Sequence, residues 1–242
     1  MESWIYDTSP TVGMTFSQAL AHTPREDMVF WAMHFAWSAL VWLAVRLYFR
    51  LHIEGRENLP AGGGFVLVAN HSSHADELTL QSVLPLRHIG RVFPVVAEDY
   101  FFRTPMRSLF SAALLNAVPL QRSVGAKAGL EACRRLLDTG RDVLIVFPEG
   151  TRSTTGEMGH FKLGIGWLLA DTSYAVVPAH IEGAHDAWPK GSKFPKPRRI
   201  TIRIGAPMVF SATHADRDGY ATVARQLEDA VCGLSAGQGG EL

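Results

Sequence analysis

Two five-residue runs, Phe65-Val66-Leu67-Val68-Ala69 and Val143-Leu144-Ile145-Val146-Phe147, are apolar at every position. A strand with one wet face alternates apolar and polar side chains, whereas a strand covered on both faces has no place for a polar one. The two runs therefore ask for a sheet with helices on both sides. Short β-rich segments alternate with helical ones along most of the chain, which extends that demand to an α/β layered fold built on a mixed, mostly parallel sheet flanked by helices. Strands are expected over residues 51–54, 65–69, 92–96, 117–120, 143–147, 176–181 and 200–204, and helices over 76–86, 105–115, 126–139, 164–170 and 217–232.

With 242 residues and no linker-like stretch in its middle, the chain reads as one domain over residues 51–232. An extension and a helix over residues 1–50 precede it, and a glycine-rich tail over 233–242, expected to be disordered, follows. The extension has no Lys or Arg before Arg25 and no clear periodicity. Residues 28–45 form an eighteen-residue run without a formal charge, rich in aromatics (Phe30, Trp31, Phe35, Trp37, Trp42) and closed by Arg46 and Arg50. A bilayer-crossing helix needs about 20 apolar residues. The length is thus borderline for a span, and the aromatics favour the headgroup level, so the run is read as a membrane-associating helix lying in or dipping into one leaflet. A buried core helix is the alternative. A secretory signal is not expected, because the run starts too deep in the chain and lacks a basic leader.

Lys plus Arg and Asp plus Glu number 23 each, so no overall field argues for nucleic acid. One local patch stands out: Lys190, Lys193, Lys196, Arg198 and Arg199 fall within ten residues that hold no acid. It reads either as a solvated loop or as a surface for anionic lipid or an acidic carrier protein. Cys133 and Cys232 are far apart, which suggests neither a disulfide framework nor a zinc or redox motif.

The chemistry-bearing residues follow the two apolar runs directly. Asn70-His71-Ser72-Ser73-His74-Ala75-Asp76 comes after the first. Positions five apart on a regular helix diverge by roughly 140°. His71 and Asp76 can therefore meet only if His71 lies in the turn before a helix and Asp76 in its first turn. The intervening serines favour such a cap, and Asp76 with Glu77 suits the positive helix start. A carboxylate on one ring nitrogen fixes the imidazole tautomer and stabilises the imidazolium formed at the other, which makes a general base without a serine nucleophile. After the second run comes Phe147-Pro148-Glu149-Gly150-Thr151-Arg152-Ser153, where backbone amides beside Gly150 and Thr151 and the Arg152 guanidinium can hold a phosphate, with Lys162 as a second cation.

These motifs resemble the phospholipid/glycerol acyltransferase superfamily, and among it the 1-acyl-glycerol-3-phosphate acyltransferases, from about Leu51 to Met208. The family's His and Asp fall on His71 and Asp76, its Glu and Arg on Glu149 and Arg152, and its apolar pair before proline on Val176-Val177-Pro178. Its remaining block falls on residues 116–122, which keep Arg122 but carry Asn116 for the usual glycine and Gln121 for the frequent acid. Asn tolerates positive φ better than most residues. The resemblance implies a glycerol-phosphate acyltransferase-like fold with an N-terminal membrane-associating element, located at the cytoplasmic face of a membrane. It implies that His71, oriented by Asp76, activates the free hydroxyl of a lysophospholipid, most closely 1-acyl-glycerol-3-phosphate, for attack on an acyl-CoA or acyl carrier protein thioester. Arg122, Glu149, Gly150, Thr151, Arg152 and Lys162 would bind substrate. No metal and no cofactor beyond the acyl donor is implied. Other readings stand beside it: a phospholipid transacylase, a lyso-aminolipid acyltransferase, a non-catalytic membrane lipid-binding protein, or a metal site on His71, His74 and Asp76.

Overall fold

The computed structural model describes residues 28–88, 90–97, 118–120 and 126–235. Helix α1 (Met28–Tyr48) leads into strands β1 (His52–Glu54) and β2 (Phe65–Ala69), then α2 (Ala75–Val83), β3 (Val92–Ala97) and β4 (Val118–Leu120). Next come α3 (Ala126–Asp138), β5 (Val143–Val146), α4 (Leu163–Leu169), β6 (Ala175–Glu182), the short α5 (Ala184–Ala187), β7 (Thr201–Ile204) and α6 (Arg217–Gly233). The expected helix over 105–115, Arg122 and the rest of its block outside β4, the extension over 1–27 and the tail from 236 lie outside the described residues. Helix α2 stops at Val83, three residues before the expected end, because Pro85 forces Leu84 into an extended conformation with ψ 148.

Among the described residues the strands form one 7-stranded sheet in the order β1-β7-β6-β2-β5-β3-β4. Neighbours run parallel except β6 and β7, which are antiparallel. The sheet is mixed and mostly parallel, with β2 at its centre and fully buried along its length.

Alternate side chains of the central strands feed two separate cores. Phe65, Leu67 and Ala69 of β2 join Val143 and Ile145 of β5, Val177 and Ala179 of β6, Leu80 and Val83 of α2, and Val45 of α1. Val66, Val68, Leu144 and Val176 point the other way into Cys133 and Leu137 of α3, Ile165 and Leu168 of α4, and Val223 and Leu227 of α6. Both faces are covered, which is why both runs can be apolar throughout.

Helix α1 belongs to the first layer along one side only. Val41 and Val45 pack inward, Trp42 Nε1 donates to Leu84 O at 3.1 Å, and Arg46 Nη1 donates to Ser82 O at 2.7 Å. Arg46 and Trp42 thereby satisfy carbonyls at the C-terminal end of α2, where a cation also suits the helix dipole. On the opposite side Leu40, Leu43 and Leu47, spaced by three and four residues, are exposed. The helix is thus core on one face and an open apolar stripe on the other. Among the described residues no helix is long and apolar enough to cross a membrane.

Candidate active site

Strands β2 and β5 are parallel neighbours, with Phe65 opposite Val143 and Val68 opposite Val146. Their C-terminal ends lie side by side, so the loops that follow must meet. The backbone locks them: His71 N donates to Glu149 Oε1 at 2.7 Å, and Ser153 N donates to His71 O at 2.8 Å. On the other flank the Asn70 side chain continues the β2–β6 pairing, donating to Ile181 O at 3.0 Å and accepting from Ile181 N at 2.8 Å. His71 is therefore held from both neighbouring strands.

His71 sits in the turn before α2 and Asp76 in its first turn, as their spacing requires. Asp76 is fully buried, and its Oδ2 accepts from Ser72 N at 2.7 Å, Ser73 N at 2.8 Å and His71 Nδ1 at 2.9 Å. That bond assigns the Nδ1–H tautomer and leaves Nε2 as the acceptor. The ring also stacks on Phe147, with centroids 4.2 Å apart and planes 19° from parallel, and only 12% of the side chain is exposed.

Burial opposes protonation of His71, but the Asp76 hydrogen bond and the negative charges of Glu77 and Asp76 outweigh it, so the pKa is raised above the ordinary imidazole value. His74 goes the other way, pushed down to about 4 by burial, then by the positive charges of Arg152 and His71. Its ring lies 5.2 Å from that of Trp188. His71 has a carboxylate partner on its ring, and its pKa rises where that of His74 falls. The reading of His71, His74 and Asp76 as metal ligands gains no support: Asp76 occupies His71 Nδ1, and among the described residues no group of three or more metal-binding side chains is arranged to hold an ion.

Of the predicted substrate-binding residues that the structure describes, Glu149 is the one the fold turns inward. It is buried, its Oε1 takes His71 N and its Oε2 takes Gly159 N at 2.9 Å, so it braces the histidine turn. Burial raises its pKa despite those bonds. Gly150 takes φ 68, a left-handed conformation costly for other residues, and a β-carbon there would lie 2.8 Å from Lys162 Nζ. Lys162 thus lies over the Gly150 turn, anchored by Lys162 N donating to Pro148 O at 3.0 Å. The preceding residues are fastened to α6, where Glu228 accepts from Phe161 N at 2.7 Å and from His160 Nδ1 at 2.8 Å. Thr151 is exposed at the rim, and Arg152 is half-buried with its charge felt by both His71 and His74. Arg122 lies outside the described residues. One side chain that the sequence suggested only as a helix-start acid belongs to the site: Glu77 Oε1 lies 3.8 Å from His71 Nε2.

Three comparisons bear on this geometry. A chloroplastic 1-acyl-sn-glycerol-3-phosphate acyltransferase of Arabidopsis thaliana is 34% identical over 64% of this chain and 43% of its own length. A 1-acyl-sn-glycerol-3-phosphate acyltransferase of Chlamydomonas reinhardtii is 32% identical over 72% of this chain and 51% of its own, and the mouse alpha enzyme is 27% identical over 66% and 55%. The chain spans about half the length of the curated relatives it matches. In fold it is similar to the crystal structure of PlsC, the 1-acyl-sn-glycerophosphate acyltransferase of Thermotoga maritima, with a TM-score of 0.63 and 22% identity over 85% of this chain and 81% of that one. The Acyltransferase family model matches residues 50–182, more than half of the chain, spanning β2, β5 and both locked loops, and on that match the chain belongs to the acyltransferase family.

Proposed function

We propose that the protein transfers a fatty acyl chain from an acyl-CoA or acyl carrier protein thioester to the free hydroxyl of 1-acyl-glycerol-3-phosphate, forming phosphatidic acid. The observation that carries the reading is the hydrogen-bonded lock between the His71 turn and the Glu149–Ser153 loop, which supports His71 as a base working beside a loop able to hold an anion. Arg152, Lys162 and the amides around Gly150 and Thr151 hold the acceptor phosphate, with Arg122 as a further cation. His71 Nε2 removes the acceptor hydroxyl proton as the oxygen attacks the thioester carbonyl. The C–S bond breaks, the thiolate leaves, and it regains the proton from the imidazolium. Direct attack needs no covalent enzyme intermediate, and a thiol with pKa about 8.5 leaves well enough to make a strong general acid dispensable.

The same reading puts the site at a membrane, on its cytoplasmic face. The exposed leucines of α1 offer apolar anchoring, and the basic loop runs from the site to that helix. At one end Ser73 Oγ donates to Trp188 O at 2.8 Å and Trp188 Nε1 donates to Ser192 O at 3.1 Å; at the other Tyr48 Oη donates to Pro195 O at 2.9 Å and Arg50 Nη2 donates to Pro197 O at 3.3 Å. Between them Phe194 is 79% exposed. An apolar tip amid cations, on a loop fastened to the end of the helix that carries the apolar stripe, suits an anionic bilayer surface. The test is purified protein in detergent, offered a panel of lysolipids with each donor and read by mass spectrometry. Phosphatidic acid from 1-acyl-glycerol-3-phosphate is expected; no acyl transfer from either thioester to any lysolipid overturns the proposal.

A further inference from the structure

His71 faces carboxylates on both ring nitrogens. Asp76 holds Nδ1 at 2.9 Å, and Glu77, the next residue in the first turn of α2, brings Oε1 to 3.8 Å from Nε2. Nε2 is the atom on which the acceptor's proton must arrive. Glu77 is no surface acid that happens to be near: its side chain is only 8% exposed. Burying a carboxylate is costly unless a partner compensates, so its placement against the reacting nitrogen needs a reason.

We propose that Glu77 is a positioning residue for the general base, giving the imidazolium a second counter-charge on its reacting side and holding the ring with Nε2 toward the acceptor hydroxyl. Before proton transfer the imidazole is neutral and the carboxylate gains little from it. When the hydroxyl proton moves to Nε2, a positive charge appears beside Glu77, and the attraction falls on the charge-separated state in preference to the resting one. The proton stays on His71 until the thiolate takes it, so Glu77 neither gains nor loses a proton in the cycle.

The groups that face His71 from each packed element set the sign. From α2 come the negative charges of Asp76 and Glu77; from the loop after β5 come Glu149, spent on the His71 amide, and the opposing positive charge of Arg152. His74 stays neutral, with its pKa near 4. Burial is the largest influence on Glu77 and raises its pKa, while a charged His71 pulls it down, as expected of a pair that stabilise each other's ionised forms. Removing the Glu77 charge must therefore lower the His71 pKa.

The experiment is Glu77→Gln, which keeps size and removes charge, with Glu77→Asp as the charge-keeping control. Proton titration of His71 is followed by NMR on histidine-labelled protein, assigned with His71→Ala, and the pH profile of kcat/KM is measured in parallel. In Glu77→Gln the His71 titration and the acid limb of kcat/KM are both expected to move about one pH unit lower, since an opposite charge at this range shifts a pKa by ~1–3 units. The plateau rate should fall about threefold to tenfold with acceptor KM changed less than about twofold. Glu77→Asp should move both by less. Unmoved His71 titration and acid limb overturn the inference, as does a rise in acceptor KM with the limb in place, which would put Glu77 on the substrate. The inference rests on His71 acting as the base of the proposed acyl transfer. Wild-type protein that transfers no acyl group would defeat that reading while the NMR arm still reported on Glu77.

Discussion

Asp76 takes three hydrogen bonds on one oxygen, from His71 Nδ1 and from the amides of Ser72 and Ser73. One carboxylate therefore both closes the start of α2 and orients the imidazole, and if His71 is the base as proposed, a change there should cost chemistry far more than folding. His71→Ala is expected to lower kcat by at least ~10²-fold, the range for loss of a general base, with an unchanged circular dichroism spectrum and no response to chelators. In the wild type the rate should fall with acid along a limb shifted upward from the ordinary imidazole value. The sign follows from the raised His71 pKa: the base works only unprotonated, so activity is present above that pKa and lost as pH drops through it. Arg152→Lys keeps the charge but loses the fork that grips a phosphate through two parallel bonds. Acceptor KM should rise while donor KM stays; a rise in donor KM alone would move Arg152 to the thioester side.

At the scale of elements, α1 is the helix with two jobs. Val41, Trp42, Val45 and Arg46 tie it to the sheet and to the end of α2, while Leu40, Leu43 and Leu47 face away. Truncation through residue 45 would strip core side chains along with the apolar stripe, so substitution is the cleaner probe. Replacing Leu40, Leu43 and Leu47 together with Gln should weaken cosedimentation with neutral liposomes in high salt, where charge attraction is screened. The melting temperature should stay within a few degrees, since surface changes away from core contacts are usually within about 0.5 kcal/mol each. Unchanged cosedimentation would show that the stripe does not touch lipid.

At the scale of the molecule, the Glu149–Ser153 loop, the histidine turn, the basic loop and α1 are joined in one hydrogen-bonded series from the sheet's C-terminal ends to the outer helix. If α1 and the basic loop meet lipid as proposed, the hydrogen-bonded series ties that surface to the site, and loss of the apolar stripe should cost activity on membrane-embedded acceptor more than on micellar acceptor. Lys190, Lys193 and Lys196 changed to Ser should weaken binding to anionic vesicles at low salt and leave binding to neutral ones as it was. If donor KM for acyl carrier protein rises instead, with vesicle binding intact, the loop docks the carrier.

The residues around His71 and Glu149 were legible in the sequence because each demand on them is local. An all-apolar strand asks for a covered sheet, serines and an acid ask for a helix start, and a five-residue spacing places Asp76 beside His71 only across that start. Among the described residues the helix ends were legible to within three residues, and the largest overshoot is in α2, where Pro85 holds Leu84 extended. What no local rule decides is which strands are neighbours. His71 and Glu149 are 78 residues apart, and it is the β6-β2-β5 order that puts their loops in contact, letting Glu149 spend its carboxylate on the His71 amide when the sequence pointed it at substrate. The same holds for Glu77 and α1. An acid after Asp76 reads as a partner of the helix dipole, and an apolar helix reads as core or as membrane anchor. Side-chain direction and the packing of α1 on α2 decide between such readings, because burial and long-range pairing are properties of the assembled layers and not of any short stretch of chain.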